Sequence, residues 1–266
     1  MWKEGRLTAG DKQMDYITFG RGSRYLVMIQ GLNTNGIRGA GAGLAWMYRA
    51  FAKEFTVYFF DRPVELPENI TVRELAQDVA LAMDAVGIRR AHVLGVSQGG
   101  MIAQYLAIDR PDLVDRLILA VTASRSLDSV TQAVETWIRL TEQGRIRALV
   151  EDMAERLYSA DLQRKYRPFL PLLTLLQKPK DPRRFITLAG ACLTCSSYEE
   201  LEKITCPVFV IGAQEDRIVG SEASREIAEK LGCRLHLYEH MAHALWEEAG
   251  DFNKLVLDFL HSPSFP

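Results

Sequence analysis

The sequence predicts an α/β fold: a mostly parallel, twisted sheet flanked by helices and interrupted by one helical insertion. Three observations predict it. Short runs rich in β-branched and aromatic residues alternate with longer stretches of helical periodicity, the rhythm of parallel strands joined by crossover helices. That rhythm stops between about 124 and 203, where helical, charged sequence takes over, and then resumes. Finally, the stretch VLGVSQGGM (93–101) sets one serine between glycines two positions away on either side, directly after an apolar run.

Each element follows from its local pattern. Residues 14–20 (MDYITFG) and 25–30 (YLVMIQ) are separated by Arg21, Gly22, Ser23 and Arg24, which reads as an early hairpin. A glycine-rich loop, GLNTNGIRGAGAG, leads into a helix expected over 44–54. TVYFFD (56–61) is the next strand, ending in the loop DRPVELPEN. Thr71 with Glu74 forms a capping-box pattern, and Val72, Leu75, Ala76, Val79, Ala80, Met83 and Val86 follow at helical spacing until Gly87. AHVLGV (91–96) is a strand, QGGMIAQYLAID a helix stopped near Pro111, and DRLILAVTA (115–123) a further strand. Pro168, Pro171, Pro179 and Pro182 punctuate the insertion. Beyond it come a strand over 207–213, a helix over 221–231, a strand over 233–239 and a last helix over 250–261. The expected organisation is therefore a core of residues 1–123 and 204–266, with 124–203 as an all-helical insertion.

Composition bounds the function. The chain has 266 residues, 48% of them hydrophobic and 25% charged, as in ordinary globular proteins. A formal net charge of −2 gives no support to a nucleic-acid or anionic-membrane partner. The start, MWKEGRLTAGDKQ, lacks the apolar segment of a signal peptide, and no apolar run approaches the roughly 20 residues that span a bilayer. The expected location is the cytoplasm, and a homodimer is compatible with the sequence. Of the four cysteines, Cys192 and Cys195 form a C-x-x-C, but no second pair follows at zinc-site spacing. They read as reduced, mostly buried thiols, with no metal site.

The serine motif carries the chemistry. A residue that ends a buried strand and enters a helix through a very tight turn is forced into strained backbone, and neighbouring side chains would clash there. Glycine at Gly95 and Gly99 removes those clashes and lets the Ser97 hydroxyl project from the top of the sheet. A serine hydroxyl needs a base, and the base needs an orienting carboxylate. Two later loops, each at the carboxyl end of an expected strand, offer them: an acidic loop at 212–219 with Glu215 and Asp216, and a stretch at 240–248 with His240 and His243. His92 and His236 fall within strands, and His261 lies near the tail.

Over nearly its whole length the sequence resembles the α/β-hydrolase superfamily, through IQGLN (29–33), FFDRP (59–63), GVSQGG (95–100), IGAQEDRIV (211–219) and HMAHALWEEAGDF (240–252). The general pattern is similar to enol-lactonase-like and small esterase members. By the family pattern a G-x-x-x-D loop supplies the acid and an H-x-x-x-x-E stretch the base, which implies Asp216 and His243, with Glu248 trailing. Glu215 and His240 remain the adjacent rivals. The resemblance implies two-step acyl transfer with no metal or organic cofactor, and an oxyanion hole made by the backbone N–H groups of Leu32 and Gln98. Many relatives carry a histidine before the loop glycine; here it is Gln30.

The insertion looks like the helical cap of this superfamily. Asn33 in the loop and Trp137, Tyr158 and Phe169 in the insertion are its expected substrate contacts, with Leu140, Tyr166, Leu172 and Phe185 as further candidates for an apolar pocket. The basic runs around Arg164 and Lys178 read as a solvated face, since Glu151, Asp152, Glu155 and Asp181 are mixed among them. The function expected is hydrolysis of a small-molecule carboxylic ester or lactone. C–C bond hydrolysis or lysis, or acyl transfer, would use the same triad, and a non-catalytic ligand-binding protein is the alternative of another class.

Overall fold

The computed structural model describes residues 1–262. Its strands are β1 (Trp2–Ala9), β2 (Lys12–Gly20), β3 (Arg24–Ile29), β4 (Phe55–Pro63), β5 (Ala91–Val96), β6 (Val114–Ala120), β7 (Val208–Ala213) and β8 (Arg234–Tyr238). Among the described residues they form one sheet in the order β1-β2-β4-β3-β5-β6-β7-β8. β1, β2 and β4 pair antiparallel, and every other neighbouring pair is parallel. The expected α/β class, with its mostly parallel sheet, is what the chain adopts.

The hairpin expected from 14–20 to 25–30 does not form. β2 pairs instead with β1, across a two-residue turn at Gly10, whose φ is +63°. β4 lies between β2 and β3. β1 escaped the sequence reading because it is an edge strand with a largely exposed, polar face. The helix expected over 44–54 is shorter: α1 spans Gly41–Met47, and Arg49–Phe51 form a single 3-10 turn.

Flanking helices cover both faces of the sheet. On one side lie α2 (Val72–Ala85), α3 (Gln98–Asp109) and α9 (Gly220–Leu231), packed over Val27, Val93, Leu117 and Val210. On the other lie α1, α10 (Leu245–Glu248) and α11 (Phe252–His261), over Leu26, Leu94, Ile118 and Phe209. Successive residues of each strand thus serve opposite cores, as the period of two demands. The Thr71 and Glu74 capping box of α2 forms as the pattern predicts.

Between β6 and β7 the chain runs through α4 (Asp128–Glu142), α5 (Ile146–Leu157), α6 (Ala160–Tyr166), α7 (Leu170–Gln177) and α8 (Pro182–Cys192). Its neck is laced by Ser126 N–H donating to Cys195 O and Ser197 N–H donating to Ser124 O, so both ends of the insertion leave the sheet side by side. The helices come to lie over the carboxyl ends of the parallel strands, against the loops that follow β3, β5 and β7.

Candidate active site

Ser97 sits between β5 and α3 with φ +52° and ψ −121°. Among the described residues it shares positive φ with only one other non-glycine, Val121. The flanking glycines have the steric cause expected of them. A Cβ on Gly95 would stand 2.7 Å from Gly100 Cα and 2.8 Å from Ala103 Cβ. One on Gly99 would stand 2.5 Å from the Ile29 carbonyl carbon. The turn is fixed on its other side by Ser97 N–H donating to Ala120 O (2.9 Å) and Thr122 Oγ1 donating to Ser97 O (2.8 Å).

His243 lies in the loop after β8, and its Nε2 is 2.9 Å from Ser97 Oγ. Its Nδ1 is 2.8 Å from Asp216 Oδ2. Asp216 is 8% exposed and His243 1%. The other Asp216 oxygen accepts from the backbone N–H groups of Ile218 (2.8 Å) and Val219 (3.0 Å), at the entrance to α9. An ionised carboxylate only accepts, so the geometry assigns the ring proton to Nδ1 and leaves the Nε2 lone pair facing the hydroxyl. An imidazole so held can take the serine proton, and the buried carboxylate can stabilise the imidazolium that results.

Glu215 and His240 are exposed. Glu215 contributes its backbone, donating to Met241 O (3.1 Å) and so tying the acid loop to the histidine loop. His92 is buried in β5 against the edge of Phe55, His236 packs on Tyr238, and His261 meets Glu54 at 2.7 Å.

The loop after β3 passes close under the serine: a Cβ on Gly31 would be 3.2 Å from Ser97 Cβ. Among the described residues, neither the Leu32 nor the Gln98 backbone N–H has a protein acceptor. A group that the sequence reading missed holds this loop. Arg62, next to last in β4, has its side chain buried, and Nη2 donates to Gln30 O (2.6 Å), Gly31 O (3.3 Å) and Gln98 Oε1 (2.8 Å). Burial lowers the pKa of this guanidinium, with Asp61 beside it opposing the shift. Gln98 Nε2 in turn donates to Leu188 O (2.5 Å) and Cys192 Sγ (3.1 Å) on α8. Arg184, also on α8, donates to the backbone carbonyls of Arg62 and Pro63. One polar network thus joins β4, both candidate oxyanion donors and the helical insertion. Its sequence signal was a charged pair, Asp61 and Arg62, closing an otherwise apolar strand.

Above Ser97 opens a cavity of about 390 Å³. Its walls are mostly apolar, with Met28, Leu44 and Phe59 from the core and Val130, Val150, Met153 and Leu157 from the insertion. Asn33, Trp137 and Tyr158 line it, as does Tyr166. Trp137 Nε1 donates to Asp152 Oδ2 (2.8 Å), and Tyr158 OH donates to Glu247 Oε2 (3.3 Å). Phe169 does not line it: the residue closes a 3-10 turn before α7 and is 57% exposed. Leu172 is likewise outward, and Leu140 and Phe185 are buried within the insertion.

Cys192 and Cys195 are free thiols, pushed up by burial to about 11 and about 12. Among the described residues, no cluster of three or more His, Cys, Asp or Glu side chains is arranged to hold a metal ion.

A family model described as "Alpha/beta hydrolase family" matches residues 30–255. A protein from Caulobacter sp. named carbamate hydrolase RutD is 29% identical over 235 residues, covering 85% of this chain and 88% of that one. A 2-hydroxy-6-oxononadienedioate/2-hydroxy-6-oxononatrienedioate hydrolase from Pseudomonas sp. is 27% identical over 192 residues, covering 70% of this chain and 68% of that one. The crystal structure of the enol-lactonase from Burkholderia xenovorans superposes with a TM-score of 0.85 at 21% identity, over 97% of this chain and 100% of that one, a likeness of fold.

Proposed function

The chain belongs to the alpha/beta hydrolase family, and from that premise we propose that it is a serine hydrolase acting on a small, largely apolar carboxylic ester or lactone. The observation that carries the reading is the buried chain from Ser97 Oγ through His243 to Asp216, with contacts of 2.9 and 2.8 Å. Ser97 attacks the carbonyl carbon while His243 Nε2 takes the hydroxyl proton. The oxyanion rests on the Leu32 and Gln98 amides. His243 then returns the proton to the leaving alkoxide, activates water against the acyl-serine, and the acid departs with Ser97 restored. Residues 124–203 act as the cap that shapes the substrate site, with Asn33, Trp137 and Tyr158 as contacts. These steps draw on this chain's own side chains and on water.

The cavity argues for an apolar ester over the substrates that the relatives' names suggest. Among the described residues that line it there is no arginine or lysine, while Glu247 stands in its wall. A dicarboxylate such as the Pseudomonas protein's would be buried there without a counter-charge, which is costly. A carbamate of only a few heavy atoms would leave most of a 390 Å³ apolar space unfilled.

The test is intact-mass analysis after a fluorophosphonate, run beside hydrolysis of a series of nitrophenyl esters of increasing acyl length. The expected result is one adduct on Ser97, absent from Ser97→Ala, with kcat/KM rising as the acyl chain lengthens. Labelling without turnover of any ester in the series, but with cleavage of a vinylogous diketone, would replace the ester reading by C–C hydrolysis. No adduct and no turnover would make the chain a binder on a hydrolase fold.

A further inference from the structure

We propose that the outer face of the α6–α7 segment docks on an anionic lipid surface. α7 has the sequence LPLLTLLQ, and none of its residues is buried. Its inner side faces the cavity through Leu173 and Gln177. Its outer side shows Leu172 (53% exposed), Leu175 (72%) and Leu176 (63%), continued by Phe169. Large apolar side chains gathered in this way mark an interaction site, because solvent gives them nothing. At eight residues α7 is about 12 Å long, and no described helix is long and apolar enough to cross a membrane. The geometry is that of a helix lying on a surface.

Charge selects the occupant. From Asp161 to Arg184 there are seven lysines and arginines against two acids, in a chain whose formal net charge is −2. Arg164 pairs with Asp161, and Arg184 is engaged with backbone carbonyls of β4. Asp181 caps α8 by accepting from Arg184 N–H. Lys165, Arg167, Lys178, Lys180 and Arg183 remain exposed, immediately before and after the leucines, and among the described residues no carboxylate pairs with them. The small net charge of the whole chain conceals this local excess, so the expectation of no membrane partner does not extend to this segment. In a symmetric dimer through the same face, this cationic patch would be set against a second copy of itself. Phospholipid acyl chains and anionic headgroups meet both halves of the pattern, the combination that gives stable surface binding.

Docking there would bring the cavity to the lipid. Asn35 Nδ2 donates to Lys178 O (3.2 Å), and Lys180 N–H donates to Asn35 Oδ1 (3.0 Å), so the C-terminal end of α7 is clasped by the same loop that carries Leu32. The proposal rests on the surface and not on the hydrolytic reading, and its readout needs no turnover.

The experiment is co-sedimentation of the full chain with vesicles of one part phosphatidylglycerol to two parts phosphatidylcholine, and with pure phosphatidylcholine, at low and high salt. Wild-type protein is expected to sediment with the anionic vesicles at least about tenfold more strongly than with the neutral ones, and to be released by salt. Leu172→Glu combined with Leu175→Glu should abolish binding, and Lys178→Glu with Lys180→Glu should weaken it about tenfold, both with an unchanged Tm. Equal sedimentation of wild type with neutral and anionic vesicles, or retention by the double leucine variant, overturns the proposal. So does a wild-type dimer in sedimentation velocity that the leucine variant splits while neither binds vesicles, since the face would then belong to a second copy.

Discussion

Gly99→Ala is the most revealing single change at the elbow, because it adds one carbon and removes no functional group. That carbon would lie 2.5 Å from the Ile29 carbonyl carbon and 2.7 Å from Gln30 O, where ordinary contact begins near 3.4 Å. The obstacles are backbone atoms at the end of β3, so no side-chain rotation relieves them. Ile29 O would be nearer still, at 1.9 Å, so the start of α3 and the end of β3 must separate by about 1.5 Å. Overpacking of this kind costs typically 1–3 kcal/mol, and about 3 kcal/mol is expected here because only backbone can yield. For a chain of this size that is a Tm lower by roughly 6–12 °C. The same separation moves the loop carrying Leu32 away from the Ser97 hydroxyl. A displacement of about 1 Å can cost roughly 10²-fold in rate, so kcat/KM on a nitrophenyl ester should fall by about 10² or more. Gly190→Ala is the control: nothing lies within 4 Å of its Cβ in α8, and the change should hold or raise the Tm. Differential scanning fluorimetry with steady-state kinetics reads both. A Gly99→Ala protein with Tm within about 2 °C of wild type and a near-normal rate would refute the steric account of the elbow.

Three further expectations follow from the same geometry. Asp216→Asn should lower kcat by about 10⁴ with the fold intact, since an amide can donate to Nδ1 and favour the wrong ring tautomer; Glu215→Gln, at an exposed side chain, should leave kcat within twofold, and the reverse order would move the acid to Glu215. Arg62→Met should lower kcat about tenfold or more with little change in KM. Arg62→Lys should restore part of the loss, because all three bonds to Gln30, Gly31 and Gln98 come from the single nitrogen Nη2 and an ammonium also carries three donors; no recovery with Lys would show that the charge and its donors are not what hold the loop. His92, held down to about 4 mainly by desolvation in β5, binds its proton less readily folded than unfolded. Its contribution is therefore fully present above the unfolded value near 6.5 and is lost as pH falls from there towards 4, by up to about 3 kcal/mol. Urea unfolding at pH 7, 5.5 and 4 should show a shallower decline for His92→Gln, and parallel curves would exclude His92 as the cause.

What was legible in the sequence were the features that act over a few residues. The apolar run at 91–96, the glycines at 95 and 99 and the cap at Thr71 each specify local structure by sterics or hydrogen bonding, and each is where the sequence placed it. β1 was hidden because an edge strand with a polar face lacks the apolar density that marks a buried one. The false hairpin had a suitable turn, but strand order is decided by β4 returning from sequence distance to lie between its neighbours. β4 itself was cut short at Asp61, since a charged pair reads as a loop unless partners are known; Arg184 and the carbonyls of the neighbouring loop supply them from up to 122 residues away. Phe169 was placed inward as an aromatic within an apolar stretch, but it lies in the 3-10 turn before α7, where a three-residue turn offers no periodic face by which to orient it.

The second strained residue explains how the serine is held. Val121 is β-branched and adopts φ +43°, an uncommon conformation for such a side chain that costs of order 1–3 kcal/mol. Its N–H still donates to Ile211 O (2.8 Å), so β7 anchors the position. The kink ends β6 at Ala120, three residues before the sequence pattern stops, and turns Thr122 back beneath the elbow. There its hydroxyl donates to Ser97 O, and its side chain packs where a Cβ on Gly100 would stand 2.5 Å from Thr122 Cβ. The elbow is therefore wedged between the end of β3 on the Gly99 side and Thr122 on the Gly100 side. A serine side chain has few contacts of its own with which to fix its hydroxyl. Here the backbone fixes it: the direction of Cα–Cβ is set by two opposed steric stops, and His243 meets an oxygen whose range of positions is already small. Strain at Val121 is in this sense part of the geometry of Ser97, and the sheet ladder to β7 is what allows it to persist.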